Sequence, residues 1–199
     1  MSNLIGVVNY GIAGNIYSVK RAIEEARGEA FVINHVDDFG KADKIVIPGV
    51  GSFKESMKEL EATGFVEKIV TFQGPILGIC LGMQILSRLG FEFGVTKGLN
   101  LLEAEVKAIV CDGEIPHVGF NRINVVKGNK LLNGVEDEEF YFMHSYEMIN
   151  YTNVAALTVY HGHSFVSSVH SGNLYGVQFH PEKSRDAGIR LLNNFVQLR

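Results

Sequence analysis

Short apolar runs alternate with amphipathic stretches through the first 90 residues of the chain. The apolar runs are rich in β-branched residues and end in glycine, proline or polar residues, which predicts buried strands. These predicted strands lie at residues 3–10, 30–35, 44–47 and 75–80. The stretches between and after them predict helices at residues 13–26, 53–64, 65–74 and 82–90, the last capped by Gly90. Strands that alternate with helices in this way predict a parallel sheet.

The pattern changes after about residue 94, where short β-like runs separated by turn glycines continue to residue 178. Such runs predict a largely antiparallel section. Residues 184–198 then predict a closing helix. The predicted fold is α/β, with a mainly parallel central sheet flanked by helices and an additional largely antiparallel β section. We expect one domain over residues 1–199.

Composition excludes several classes of function. The chain has 199 residues, 46% of them hydrophobic and 20% charged, which is typical of a globular protein. Its net charge of -4 argues against general nucleic-acid binding. The run LIGVV lacks a basic flank and no apolar run approaches the length of a membrane span, so we expect neither a signal peptide nor a membrane segment. Cys80 and Cys111 are too few cysteines for a disulfide scaffold or a cysteine-based zinc site, so a reducing, cytoplasmic location is the simplest expectation.

Three glycine-containing turns follow predicted strands: NYGIAGN, PGVGS and GICLG. Ligands of open parallel sheets bind beyond the carboxyl ends of the strands. Because all three turns lie at such ends, we expect them to form one composite site.

The third turn places Cys80 between two glycines, at the junction of a predicted strand and a predicted helix. The dipole and free N–H groups at a helix N-terminus would stabilise a thiolate there. Gly78 and Gly82 remove side chains that would crowd so sharp a turn, as in a nucleophile elbow. The alternative interpretation is a small core cysteine whose neighbouring glycines serve packing alone.

A thiol nucleophile requires a base, and the best placed of the seven histidines is His180. It follows the apolar run LYGVQF, and Glu182 comes two residues later, so an extended segment would direct both side chains to one side. Cys80, His180 and Glu182 would then supply a nucleophile, a base and a group that orients the base. The alternative is a strand-end histidine beside a surface glutamate. His161 and His163 have no carboxylate or cysteine near them in the sequence, so we expect solvated loop histidines rather than metal ligands.

The turn PGVGSF supplies a further part of the predicted site. Gly49 and Gly51 would let backbone amides approach a ligand. An N–H from Val50 or Gly51, together with that of Leu81, could form an oxyanion hole. Glycine-rich turns also bind phosphate, but this one lacks the Lys–Ser/Thr ending of a P-loop.

The segments GICLGMQ and FHPEKS, with 100 residues from the cysteine to the histidine, resemble the class I glutamine amidotransferases. More closely, the chain is similar to the family of glutaminase subunits of imidazole glycerol phosphate synthases. The motifs that carry this resemblance occur in the family's order over most of the chain: NYGIAGNIYSV, IPGVGSF, GICLGMQ, PHVGFNRI, YFMHSY and GVQFHPEKS.

The resemblance implies roles for particular residues. It implies a triad of Cys80, His180 and Glu182, and contacts with L-glutamine from Gly51, Gln84, Glu92, His144, Ser145 and Tyr146. It places a partner-facing surface around Asn15, Phe120, Tyr141 and Lys183. The implied partner is a (β/α)8-barrel cyclase subunit, which would form a heterodimer with this chain and receive ammonia through a sealed passage for histidine biosynthesis. The resemblance implies no metal, no organic cofactor, no nucleic acid and no membrane.

Two positions depart from the family pattern: Phe120, where tryptophan is common, and Asn9, where aspartate is frequent. Both could alter partner contact or allosteric response. They leave open a paralogous glutaminase that supplies ammonia to another synthase, such as one amidating a surface sugar. The residue pattern is also compatible with a cysteine peptidase or thiol hydrolase, and with an inactive regulatory protein.

Overall fold

Eight strands form the central sheet of the computed structural model, which describes residues 3–11 and 15–198. Five neighbouring strands are parallel, in the order β2 (Glu29–Ile33), β1 (Leu4–Val8), β3 (Lys44–Ile47), β4 (Ile76–Ile79) and β14 (Leu174–Val177). Three strands continue the sheet in antiparallel pairing, in the order β13 (His163–Ser171), β12 (Val154–Tyr160) and β9 (Asn124–Val125). The parallel strands are almost entirely apolar because helices and loops cover both faces of this part of the sheet. The four strands predicted in the first 80 residues are therefore confirmed.

The helices that flank the sheet begin and end close to the predicted residues. They are α1 (Ile16–Glu25), α2 (Phe53–Ala62), α3 (Phe65–Val70), α4 (Leu81–Gln84) and α5 (Arg185–Gln197). Residues 13 and 14, which the sequence assigned to the first helix, lie outside the described residues. Helix α2 begins where predicted because the Ser52 hydroxyl accepts a hydrogen bond from the backbone N–H of Glu55. Within residues 3–11 and 15–198, no helix is long and apolar enough to cross a membrane.

The helix predicted over residues 82–90 is wrong beyond its first turn. Helix α4 ends at Gln84, and Ser87–Gly90 instead forms strand β5, which pairs with β6 (Thr96–Lys97) and β7 (Leu102–Ala108). The periodicity was ambiguous because the segment is short and apolar, and pairing with later strands decided its conformation. Gly90 ends β5 rather than capping a helix, and a Cβ there would lie 2.6 Å from the Phe53 ring.

The antiparallel section predicted between residues 94 and 178 is confirmed. Strand β7 pairs with β11 (Tyr146–Ile149), and β8 (His117–Arg122) pairs with β10 (Glu139–His144). The backbone carbonyl of Tyr141 in β10 accepts a hydrogen bond from the His180 N–H at 2.8 Å, so this section lies beside the carboxyl end of β14. Cys111 lies in the loop between β7 and β8.

Glycines let the turn after β4 pack against the end of β3 without intervening side chains. A Cβ on Gly82 would lie 1.8 Å from the carbonyl oxygen of Ile47, and a Cβ on Gly78 would lie 2.6 Å from the carbonyl oxygen of Gly82. Both distances are far shorter than van der Waals contact. The predicted function of these glycines in a crowded turn is therefore confirmed.

We expect Gly82→Ala to lower the free energy of unfolding by about 1–3 kcal/mol, because the added methyl group forces backbone to move. Urea denaturation of the two proteins measures this difference. Gly40→Ala is the matched control, since a Cβ at this exposed glycine meets no atom within 4 Å. Equal losses in the two variants would show that the close approach of Gly82 to Ile47 is unimportant.

Candidate active site

Cys80 occupies a sharp turn between β4 and α4, with φ 54° and ψ −112°. This conformation is sparsely populated for any residue with a side chain and costs on the order of 1–3 kcal/mol. Three hydrogen bonds oppose the strain: the Cys80 N–H donates to the Val177 carbonyl at 2.8 Å, and the Cys80 carbonyl accepts from the N–H groups of Met83 at 3.0 Å and Gln84 at 3.1 Å. Because α4 has four residues, the expected helix N-terminus contributes the N–H groups of a first turn rather than the dipole of a long helix.

His180 and Glu182 form a fully buried pair beyond the end of β14. The His180 Nδ1–H donates to Glu182 Oε1 at 2.8 Å, and both side chains are 0% exposed. The expected extended conformation is wrong, because Pro181–Lys183 forms a 3-10 turn with proline at its first position. The turn still brings the carboxylate to the imidazole, so the predicted pairing is present with a different backbone.

The charged form of His180 is favoured in this position. Burial acts against the charge, but the hydrogen bond to Glu182 and the nearby Cys80 and Glu182 groups outweigh it and raise the pKa of His180 to about 9. The same contacts lower the pKa of Glu182, despite the opposing effect of its burial. His180 Nε2 is buried without a partner among the described residues. Since Nδ1 is engaged by Glu182, Nε2 is the nitrogen available for proton transfer.

Asn15 supports Glu182 from the start of α1. Its Nδ2–H donates to Glu182 Oε1 at 2.7 Å, and the residue is 8% exposed. Glu182 Oε1 therefore accepts from both His180 and Asn15, which fixes the carboxylate. The family resemblance implies a partner-facing surface around Asn15, whereas its side chain is directed inward to the His180–Glu182 pair.

A cavity of about 250 Å³ opens above Cys80. Its lining includes every residue proposed to contact glutamine or the oxyanion: Val50, Gly51, Leu81, Gln84, Glu92, His144, Ser145 and Tyr146. Cys80 and His180 line the same cavity, so the structure brings the predicted nucleophile, base and substrate contacts together. The first predicted turn contributes through Asn15, while its residues 12–14 lie outside the described part of the chain.

Glu92 is the acidic residue of the cavity wall. Its Oε2 accepts a hydrogen bond from the Phe53 N–H at 2.7 Å, so the start of α2 holds the carboxylate in place. A fixed negative charge at the wall can bind an ammonium group of a small ligand.

The two glycines of PGVGSF serve different purposes. A Cβ on Gly49 would lie 2.5 Å from the Gly82 nitrogen, so Gly49 is needed for close packing against the cysteine turn. Gly51 has φ +101° and open space around the position of a Cβ. Of the two glycines expected to let backbone amides approach a ligand, only Gly51 adjoins open space.

His117, which the sequence analysis did not single out, forms a buried pair with His144. The carbonyl of Tyr146 can only accept, so the His144 Nδ1–H donates to it at 2.9 Å. His144 Nε2 then accepts from the His117 Nδ1–H at 3.1 Å. Burial lowers the pKa of each histidine to about 4, so both are neutral near pH 7. The pair fixes His144 at the cavity wall without adding a second cation beside His180.

Phe120, Tyr141 and Lys183 form a continuous surface beside the cavity. The Phe120 and Tyr141 ring centroids are 5.6 Å apart, and the Lys183 ammonium lies 5.6 Å from the Tyr141 ring. The Arg185 guanidinium lies 4.5 Å from the Phe120 ring, which remains 40% exposed. At the other departure from the family pattern, Asn9 binds the Asn34 side chain at 2.8 Å.

The two histidines near residue 162 differ from each other. His161 is exposed in a turn, as expected. His163 is not a solvated loop residue, because it begins β13 and its Nε2 lies 2.7 Å from Glu147 Oε1. Glu147 is distant in sequence, which is why no local pattern indicated this partner. Among the residues that the structure describes, no group of three or more possible ligands could hold a metal ion.

A family model and curated relatives assign this chain to the same family. Residues 7–198 match the family model described as glutamine amidotransferase class-I. The imidazole glycerol phosphate synthase subunit HisH 1 of Campylobacter jejuni (strain RM1221) is 40% identical over 202 residues, covering 98% of this chain and 100% of that protein. The subunit HisH of Chlorobium chlorochromatii (strain CaD3) is 41% identical over the same length and coverage.

Solved structures share the fold at lower sequence identity. A putative GMP synthase protein from Thermoplasma acidophilum has a TM-score of 0.74 at 22% identity, covering 97% of this chain and 92% of that one. PurLQS from Thermotoga maritima has a TM-score of 0.73 at 17% identity, covering 98% and 97%.

The pKa of His180 predicts that its contribution to stability depends on pH. Because the pKa rises from an ordinary 6.5 to about 9 on folding, this contribution is complete below pH 6.5 and is lost as the pH rises through 9. We expect the difference in unfolding free energy between the wild type and His180→Asn to shrink between about pH 6 and about pH 10 in urea denaturation. His161→Asn, at an exposed turn, is the control. A difference that stays constant for His180→Asn would contradict the raised pKa.

Proposed function

This chain belongs to the class-I glutamine amidotransferase family, and on that premise we propose that Cys80, His180 and Glu182 are its catalytic triad. The observation that carries the proposal is the buried His180–Glu182 hydrogen bond of 2.8 Å, which leaves Nε2 free beside a cavity shared with Cys80. A small core cysteine would not require a strained turn at the wall of a cavity. A surface glutamate would not be 0% exposed.

Its function is that of the glutaminase subunit of an imidazole glycerol phosphate synthase. The chain hydrolyses L-glutamine to glutamate and ammonia and delivers the ammonia to a cyclase subunit for histidine biosynthesis. Relatives about 40% identical over nearly the full length favour this pathway over a paralogous enzyme that amidates a surface sugar.

The mechanism starts from a thiolate and an imidazolium. Cys80 Sγ attacks the side-chain amide carbon of glutamine, and the C=O electron pair moves onto oxygen to form a tetrahedral oxyanion. The Leu81 N–H and an N–H from Val50 or Gly51 stabilise that charge. His180 then gives its Nε2 proton to the departing nitrogen, so ammonia leaves and a thioester remains.

Water completes the reaction. Neutral His180 takes a proton from a water molecule, whose oxygen attacks the thioester carbon. The second tetrahedral intermediate collapses to glutamate and the Cys80 thiolate, with the proton back on His180. Glu182 keeps Nδ1 protonated throughout, and Asn15 holds Glu182.

We propose that the cavity recognises glutamine by its charged end. The Glu92 carboxylate would bind the α-ammonium group, and Gln84, His144, Ser145 and Tyr146 would provide polar contacts around it. A small cavity with a fixed carboxylate suits a free amino acid better than a peptide chain, which disfavours a cysteine peptidase.

We further propose that the cyclase is a (β/α)8 barrel, and that it docks on the surface of Phe120, Tyr141 and Lys183 as a heterodimer. Aromatic residues with neighbouring cations are typical of interface centres. Phe120 offers the partner a ring without the indole N–H of the family's usual tryptophan. We place the complex in the cytoplasm, where its two free cysteines would remain reduced.

Cys80→Ala should abolish ammonia release from glutamine, because no other group at the cavity can form the thioester. Synthesis by the complex from added ammonium salts should survive, since the acceptor chemistry belongs to the cyclase. Coupled glutamate and product assays measure the two activities. Cys111→Ser, which changes the thiol in the β7–β8 loop, is the control and should retain both. Full glutaminase activity in Cys80→Ala would remove Cys80 from the mechanism.

We expect this chain in isolation to hydrolyse glutamine slowly, because the Val50–Gly51 peptide can adopt an unproductive orientation. No atom lies within 4 Å of the position of a Cβ on Gly51, and glycine tolerates either orientation of the peptide, so this peptide can present an N–H or a carbonyl to the oxyanion. Losing one N–H donor lowers the rate of hydrolysis about 100- to 1000-fold. A cyclase with bound acceptor would raise turnover only if it binds the N–H orientation more tightly. Steady-state glutaminase rates for the isolated chain, with cyclase, and with cyclase plus acceptor test this, and equal rates would disprove the switch.

A further inference from the structure

We propose that Gln178 stabilises the Cys80 thiolate by donating an amide N–H to its sulfur, and that a relay through Gln84 to the Tyr146 backbone fixes the direction of this donor. Gln178 Nε2 lies 3.5 Å from Cys80 Sγ. The inference rests on the proposed function of Cys80 as the nucleophile and adds a group that acts on it. We call Gln84, Gln178 and the Tyr146 carbonyl the amide relay.

The position of Gln178 follows from the pairing of β4 with β14. These strands are parallel, with Ile79 beside Val177, so the residues that follow them emerge side by side at one edge. Gln178 and His180 are two residues apart on the segment after β14, where the Gln178 amide contacts the Cys80 sulfur and His180 lines the same cavity as Cys80. Phe179 between them faces the core, where its ring centroid lies 4.0 Å from that of Phe140. One segment therefore directs both an amide and the base at the same sulfur.

The direction of the relay is fixed by chemistry. The Tyr146 carbonyl can only accept hydrogen bonds, so the group of Gln84 that faces it at 3.0 Å must be Nε2. The same Gln84 Nε2 lies 2.9 Å from Gln178, which must therefore present Oε1 to it. The remaining end of the Gln178 amide, Nε2, then faces Cys80. The Tyr146 backbone carbonyl thus determines that Gln178 presents its N–H donor, and not its side-chain oxygen, to the Cys80 sulfur.

A donor at this place favours the charged form of the nucleophile. A hydrogen bond to an ionised group is stronger than one to its neutral form, so the N–H stabilises the thiolate more than the thiol. Gln178 is 0% exposed and is not part of the cavity lining, whereas Gln84 and Tyr146 are. Gln178 therefore acts on the sulfur without touching glutamine, and its loss should lower kcat while leaving KM nearly unchanged.

The test measures thiolate formation in the absence of glutamine and cyclase. The rate of Cys80 alkylation by iodoacetamide is followed against pH in a Cys111→Ser background, which removes the other thiol. Gln178→Met keeps the length and neutrality of the side chain but removes the donor. We expect the midpoint of the alkylation profile to rise by about one pH unit, with a roughly tenfold lower rate at neutral pH.

A second variant tests the relay without changing Gln178 itself. Gln84→Met leaves the Gln178 amide in place but removes the hydrogen bond that fixes its orientation, so the midpoint of the alkylation profile should rise by a smaller amount. Gln73→Met is the matched control. Gln73 is exposed and precedes the first residue of β4, at the end of the strand away from Cys80, so this variant should leave the alkylation profile unchanged. Circular dichroism establishes that each variant is folded. If Gln178→Met does not fold, Gln84→Met carries the test.

An unchanged alkylation profile in both folded relay variants would overturn the proposal and leave Gln178 with a packing role. This outcome is distinguishable from failure of the proposed function, which would appear as absence of glutaminase activity in the wild-type complex. A shifted profile in Gln178→Met with an unchanged KM for glutamine would support the relay. A raised KM with an unshifted profile in Gln178→Met would assign its amide to substrate binding instead and would also overturn the proposal. The KM of Gln84→Met is no criterion, because Gln84 lines the cavity and is proposed to contact glutamine.

Discussion

One backbone hydrogen bond, from the Cys80 N–H to the Val177 carbonyl, sets the geometry on which the site depends. It continues the parallel pairing of β4 with β14 for one residue beyond the strands, at 2.8 Å. The strained turn of Cys80 is thereby tied to the segment that carries Gln178, His180 and Glu182. A parallel register brings both chain segments to the same edge, so Cys80 and His180 line one cavity although 100 residues separate them.

Close backbone packing makes this arrangement rigid. Gly82 contacts the end of β3 at a distance that excludes any side chain, and Gly49 fits against Gly82 in the same manner. The cysteine turn is thus held between two neighbouring strands, whereas a Cβ on the adjoining Gly51 would meet no atom within 4 Å. Tight and open backbone packing therefore occur within a few residues of each other at the wall of one cavity.

Local sequence predicted most of the parallel sheet and the principal site residues, because both leave local signatures. Continuous apolar runs mark buried strands, and glycines around a cysteine mark a tight turn. Strand β5 was missed because its conformation depends on pairing with residues that come later in the chain. The contacts of Asn15 and His117 were not predicted for the same reason, since their partners Glu182 and His144 are distant in sequence. Gln178 did carry a signal, because it stands two residues before His180 in a run predicted to be a strand, where such residues face the same side.

The contact between Asn15 and Glu182 joins the first helix to the last 18 residues of the chain. Strand β14 also lies inside the central sheet, between β4 and β13, although it is the last strand to be synthesised. A nascent chain emerges from its N-terminus, so Cys80 is synthesised 100 residues before His180. The cavity wall that the two residues share therefore forms only after β14 has inserted between β4 and β13.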